Sequence, residues 1–188
     1  MTKNKHLKAL HNRLPMLGIT GNFLFVLPVN QVMSGLAVEA TPTHIYYWRY
    51  LIPLYDKIDF LHFGIAERIW SHSSSESLDM HFSESGISEK CIIAPNGSLD
   101  EVISYCETVS SDNDYAQKAL GLSHIMKGDW IRAEKELKKL RDTRKLSPGS
   151  MTMQGIEELV TLLTTVPGGA KELLHQWITE NKRKFRLS

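Results

Sequence analysis

Around Pro95 the sequence changes its hydrophobic period. Of the 16 aromatic residues, 11 precede residue 83: Phe23, Phe25, Tyr46, Tyr47, Trp48, Tyr50, Tyr55, Phe60, Phe63, Trp70 and Phe82. With the β-branched residues around them they suit half-buried strands. From Ser98 onward apolar residues recur at helical spacing instead, beginning with Ser98-Leu99-Asp100-Glu101, where a serine and a glutamate three apart form a capping box. Strands followed by a run of helices specify an α+β chain. The expected architecture is a small antiparallel β-rich N-terminal part with a helix, residues 1–95, followed by a C-terminal helical bundle, residues 96–188. A chain of 188 residues buries a core without disulfide staples.

Within the first part, Leu7, Leu10 and Leu14 share one face of a short helix over residues 3–14. Strands are expected at 22–27, 31–39 and 60–69, with a short buried strand at 91–94. Pro28-Val29-Asn30 reads as a turn, as does Gly18-Ile19-Thr20-Gly21-Asn22. Residues 44–55 carry two patterns. Tyr46, Tyr47, Trp48, Tyr50 and Leu51 suit a strand, whereas Ile45, Trp48, Ile52 and Tyr55 lie along a helical stripe. A helix is favoured, with Thr43 as its cap and Pro53 near its end. Residues 71–89 form a Ser-rich loop. Leu99, Val102, Ile103, Cys106 and Val109 make the stripe of the first C-terminal helix, which places Cys106 in a core. Further helices are expected at about 112–127, 129–144, 150–166 and 170–186.

Composition excludes several classes. Hydrophobic residues at 42% and charged residues at 23% rule out a disordered or collagenous chain. No apolar run reaches the roughly 18 residues that span a bilayer, so no membrane partner is expected. Basic residues precede the apolar stretch Phe23–Val29 as in a secretory leader, but Pro15, Asn22, Pro28 and Asn30 interrupt it. Cys91 and Cys106 are read as free thiols, which points to the cytoplasm. Neither cysteine has a partner at metal-ligand spacing, and the eight histidines never form His-Glu-x-x-His. No nucleophile elbow, phosphate-binding loop or dinucleotide fingerprint is present, so no metal, cofactor or catalytic residue is assigned.

Leu120-Gly121, Gly128-Asp129-Trp130, Ala133 and Leu137 resemble the tetratricopeptide repeat, a two-helix unit of about 34 residues, over residues 115–148. The small residues at 121 and 133 fall where two antiparallel helices cross closely. Gln117 replaces the large apolar residue of the pattern, Lys145 stands at its usual proline, and Pro148 comes later. The resemblance covers one repeat and implies a helical hairpin. Residues 22–70, through Phe23-Leu24-Phe25-Val26-Leu27-Pro28, Tyr47-Trp48-Arg49, Pro53-Leu54-Tyr55 and His62-Phe63-Gly64, resemble uncharacterised bacterial proteins, some of the immunity or defence-associated kind.

Net charge is +1, from 22 basic and 21 acidic residues, which gives no general attraction for nucleic acid. Its distribution is uneven: residues 71–128 hold nine carboxylates against three basic groups. These observations favour a non-enzymatic protein-binding module, of the bacterial immunity or adaptor type, that holds and neutralises another protein such as a basic toxin or effector. Trp48 and Tyr50 would anchor the partner, and Glu76, Asp79, Glu84, Asp112 and Asp114 would steer it. The alternative is an enzyme using Asp56, Asp59, His62, Glu67 and Arg68, residue types able to do acid/base work if the fold brings them together. On a strand over 60–69, however, His62 and Glu67 would face opposite sides. A second alternative is a regulatory RNA-binding protein using Lys182-Arg183-Lys184.

Overall fold

The computed structural model describes residues 3–73, 97–143, 150, 152, 153 and 155–187. In chain order the elements are α1 (Lys3–Arg13), β1 (Leu17–Thr20), β2 (Phe23–Val26), β3 (Val32–Ala40), β4 (His44–Pro53), β5 (Ala66–Ser73), α2 (Leu99–Val109), α3 (Asp114–Lys127), α4 (Trp130–Thr143), α5 (Ile156–Thr165) and α6 (Pro167–Phe185). The fold is α+β, an antiparallel five-stranded sheet followed by helices. Two compact units result. One is built on the chain up to Ile52 and from Ala66 to Gly97, the other on Pro53–Ile65 and everything from Ser98. The link between β4 and β5 therefore belongs to the helical unit.

The sheet unit is a meander in the order β1-β2-β3-β4-β5. Helix α1 packs on one face, its Leu7 and Leu10, with Leu14 just beyond its end, meeting Leu17, Leu24, Leu36, Val38, Ile45 and Tyr47. β3 is buried on both faces from Val32 to Val38. Gly35 is required there: a Cβ at this position would stand 2.1 Å from the carbonyl oxygen of Leu24 in β2. The ring of Phe25 lies over its cross-strand partner Gly18, where a Cβ would come within 2.4 Å. That cover makes Leu17–Thr20 a strand, correcting the turn expected from Gly18; the turn is confined to Gly21 and Asn22.

Residues 44–55 are the main correction. Residues 44–53 form β4 rather than a helix, Leu54 and Tyr55 lie in the turn that follows, and Thr43 is not a helix cap. Ile45 and Tyr47 join the α1 core while Tyr46 and Trp48 are only half-buried. A helix would have left the backbone groups of β5 without their ladder. β5 itself starts at Ala66, not at Phe60, and takes in Ser71 and Ser73 of the Ser-rich stretch. The remainder of that stretch, and the strand expected at 91–94, lie outside the described residues.

In the helical unit the expected capping box is present. Ser98 Oγ accepts from the Glu101 backbone N–H, and the Glu101 carboxylate accepts from Ser98 N–H. Val102 and Cys106 are buried beneath it. α3 is buried along its whole length from Tyr115 to Met126 and packs against α2, α4 and α6. Asn113 Oδ1 accepts from the N–H groups of Tyr115 and Ala116 at its start, and left-handed Gly128 closes it. α3 and α4 form a close hairpin. Gly121 meets the Leu137 side chain, which a Cβ would approach to 2.7 Å, and Ala133 is fully buried.

Replacing Ala133 with leucine should overpack this crossing and destabilise the protein by about 1–3 kcal/mol. Urea unfolding measures it; a variant as stable as the wild type would show that α3 and α4 do not need a small residue there.

Candidate functional site

Residues 54–65 have no regular secondary structure, yet Leu54, Tyr55 and Asp56 are buried. A chain with unpaired backbone can be buried only if side chains satisfy it. Asn181 of α6 does this: its Nδ2 donates to the carbonyls of Leu54 at 2.8 Å and Asp56 at 2.7 Å. Further along, Lys184 Nζ donates to the Ile58 carbonyl at 3.1 Å and to the Asp59 carboxylate. Asn113 Nδ2 donates to the Gly64 carbonyl at 3.0 Å.

The side chain of Asp56 sits at the centre. One carboxylate oxygen is 2.7 Å from Lys118 Nζ, with the two side chains 1% and 0% exposed. The other accepts from the Tyr115 hydroxyl at 2.5 Å. Burial and the adjacent Asp56 carboxylate both push the Tyr115 pKa well up, so this phenol keeps its proton and acts as a donor. Ser123 Oγ donates to the Ala119 carbonyl, which leaves Tyr55 as the donor in its 2.7 Å bond to Ser123. His62 packs edge-on against Tyr115, with ring centroids 4.5 Å apart. The Gly64 N–H donates to His62 Nδ1 at 2.9 Å, so the neutral ring carries its proton on Nε2. That Nε2 is buried with no hydrogen-bond partner.

This arrangement divides the five-residue constellation read from the sequence. Asp56 and His62 join the buried network, Asp59 pairs with Lys184, and Glu67 and Arg68 lie on β5 in the sheet unit. The expectation that His62 and Glu67 face opposite sides of one strand is corrected: β5 begins at Ala66, so Glu67 is on the strand and His62 precedes it, in the helical unit. Glu67 instead bonds Arg49 across the β4–β5 ladder. Asp56 spends both carboxylate oxygens on neighbours, so the network is built to hold the 53–65 segment onto α3 and α6. Among the described residues no cluster of three or more His, Cys, Asp or Glu could hold a metal ion. Cys106 is buried, and that burial pushes its thiol up to about 12, which leaves it protonated and unreactive.

Of the residues expected to bind a partner, Tyr50 is a core residue. It is fully buried, its hydroxyl donating to the Leu24 carbonyl and its ring edge-on to Phe23. This corrects its reading as an anchor: β4 turns inward after Arg49. Trp48 is half-buried, and its indole N–H donates to Glu39 at 3.0 Å. Tyr46, also half-buried, and Arg68, exposed, complete that face, the Arg68 guanidinium lying 5.4 Å from the Tyr46 ring centre and 6.0 Å from that of Trp48. The juxtaposition depends on a bulge. Tyr47 pairs with Trp70 but Trp48 with Arg68, so Ile69 is the extra residue; it turns with Trp70 toward the α1 core and leaves Arg68 opposite Trp48. Alternation along a strand puts Tyr46 on the face of Trp48, but it does not reveal Arg68 as their neighbour. Asp112 is exposed and accepts from Ser111, and Asp114 lies in the first turn of α3, where carboxylates suit the helix dipole. Glu76, Asp79 and Glu84 lie outside the described residues. Lys182, Arg183 and Lys184 occupy the last turn of α6, complementing its dipole.

Two predictions follow from the network. Asp56→Leu or Lys118→Met alone strands a buried charge and should cost about 3–5 kcal/mol, whereas the double variant should recover a large part of that loss. Denaturant unfolding of the four proteins checks it; additive losses would show that the pair is not coupled. His62 has a pKa below the ordinary 6.5, chiefly because burial disfavours its charged form, with Lys118 lowering it further and Asp56 opposing. The unfolded chain therefore takes up its proton first as pH falls. Stability should decline below about pH 6.5, by up to about 1.4 kcal/mol per pH unit from this residue. His62→Asn, which keeps an acceptor for Gly64, should flatten that slope, and an unchanged slope would exclude His62 as its source.

No protein-family model, curated protein or solved structure matches this chain.

Proposed function

We propose that the chain is a non-enzymatic protein-binding module, and that the Tyr46–Trp48–Arg68 face of the sheet is its recognition surface. One observation carries the reading: a tryptophan, a tyrosine and an arginine, the types most enriched among binding hot spots, are clustered and partly exposed on a rigid β-ladder. Their rotamers are restrained before any partner arrives. Trp48 is held by Glu39, and Arg68 lies over two aromatic rings. Little ordering entropy is then lost on association. The buried network supports the same reading, because its titratable groups are engaged in holding the fold.

Glu39 and Arg68 balance one another, so recognition on this face works through aromatic contact. An immunity or adaptor protein that holds and neutralises another protein would use such a surface. Attraction of a basic partner would fall to the acidic residues, among them exposed Asp112, and would act on the association rate.

Trp48→Ala should weaken the partner's binding by about 30-fold or more, and Arg68→Ala by about 10-fold, with melting temperatures little changed. Affinity purification of tagged protein from its native source, followed by binding kinetics with the captured protein, measures this. Binding that survives both substitutions unchanged would overturn the assignment.

A further inference from the structure

The helical unit contains a cleft of about 420 Å³ that neither the buried network nor the sheet face uses. It is walled by Glu107 of α2 and Ser110 at its C-cap, Leu120 and His124 of α3, and Arg132, Lys135, Glu136 and Lys139 of α4. Its chemistry begins in the sequence of α4. Ala133, Leu137 and Leu140 form the buried stripe of that helix. Beside it, Arg132, Lys135 and Lys139 fall at spacings of three and four, one cation per turn on the cleft side. Lys138 of the same helix pairs with Glu134 at 2.5 Å. Three cations placed along one side of a helix can converge on a single anionic group, donating charge-assisted hydrogen bonds to it.

Two further features narrow the ligand. Glu107 and Glu136 line the same cleft, and these acceptors disfavour a bare anion but receive hydrogen bonds from hydroxyl groups. His124, with a side chain only 6% exposed, presents an imidazole that burial keeps neutral, and Ser110 adds a hydroxyl. Leu120 supplies one apolar wall. The volume lies within the range of small-molecule sites, and a helix some 10–12 Å across would overfill it.

We propose that this cleft binds a small phosphorylated polyol of the sugar-phosphate class. Arg132, Lys135 and Lys139 hold the phosphate, and Glu107 and Glu136 accept from the hydroxyls. Arg132 already reaches the Asp129 carboxylate at 3.4 Å and keeps a largely exposed side chain, so it re-aims toward the phosphate at small cost.

Calorimetric titration of the full chain with glucose 6-phosphate, ribose 5-phosphate, inorganic phosphate, glucose and a glutamate octapeptide tests this. A sugar phosphate should bind saturably, with a Kd below about 1 mM and at least about 10-fold tighter than inorganic phosphate or glucose. Lys135→Gln with Lys139→Gln should weaken it by about 10-fold or more. Glu107→Gln should weaken sugar-phosphate binding while strengthening that of inorganic phosphate, a split that simple charge attraction cannot produce. Equal affinity for inorganic and sugar phosphate would overturn the proposal, as would preference for the octapeptide or no saturable binding of any of the five. Loss of partner binding in Trp48→Ala leaves these titrations unaffected, so the two proposals fail separately.

Discussion

The ion pair between Asp56 and Lys118 is the interaction on which the helical unit turns. Taking both charges out of water costs several kcal/mol per ion, and the pair offsets it through close contact and neighbouring hydrogen bonds. Tyr115 donates to the second carboxylate oxygen, and Asn181 satisfies the carbonyls on either side of Tyr55. A hydrophobic replacement of equal volume would cost less to bury. What an ion pair adds is geometry: Asp56 has one position in which Lys118 of α3, Tyr115 of α3 and its own backbone contact to α6 are all satisfied. The irregular stretch between β4 and β5 is thereby fixed against two helices although it has no ladder or helix of its own.

In the sheet unit, β5 begins at Ala66, directly after the segment that belongs to the helical unit. With Tyr47 opposite Trp70, the β4–β5 ladder reaches Trp48 and Arg68 only by leaving Ile69 unmatched. The bulge sends Ile69 and Trp70 to the α1 side and Arg68 to the opposite face. An aromatic and cationic surface results from a displacement of one residue in register.

Much of the helical part was legible because local signals there act alone. Ser98 and Glu101 lie three apart and cap each other with no help from the rest of the chain. Gly128 ends α3 for a backbone reason, its left-handed conformation. By contrast, α3 carries Gln117, Lys118, Ser123 and His124 in its buried length, a pattern that reads as half-exposed. Only partners distant in sequence, Asp56 for Lys118 and Tyr55 for Ser123, make those residues internal. His62 was similarly misplaced on a strand, because the signal that takes it elsewhere is Tyr115, more than fifty residues away.

The sequence by itself determined the α+β order of elements, the α1 stripe of Leu7, Leu10 and Leu14, the caps of α2 and α3, and the small residues at the α3–α4 crossing. Each follows from spacing within a few residues, where backbone geometry and side-chain chemistry suffice. The tertiary structure alone decided that residues 44–53 are a strand, that Tyr50 is core and Trp48 partly exposed, and that Asp56 and Lys118 meet. An isolated segment with both periods satisfies its apolar face equally well as helix or strand. A ladder partner and a covering helix break that tie, because unpaired backbone groups and unpaired buried charges are too costly to keep.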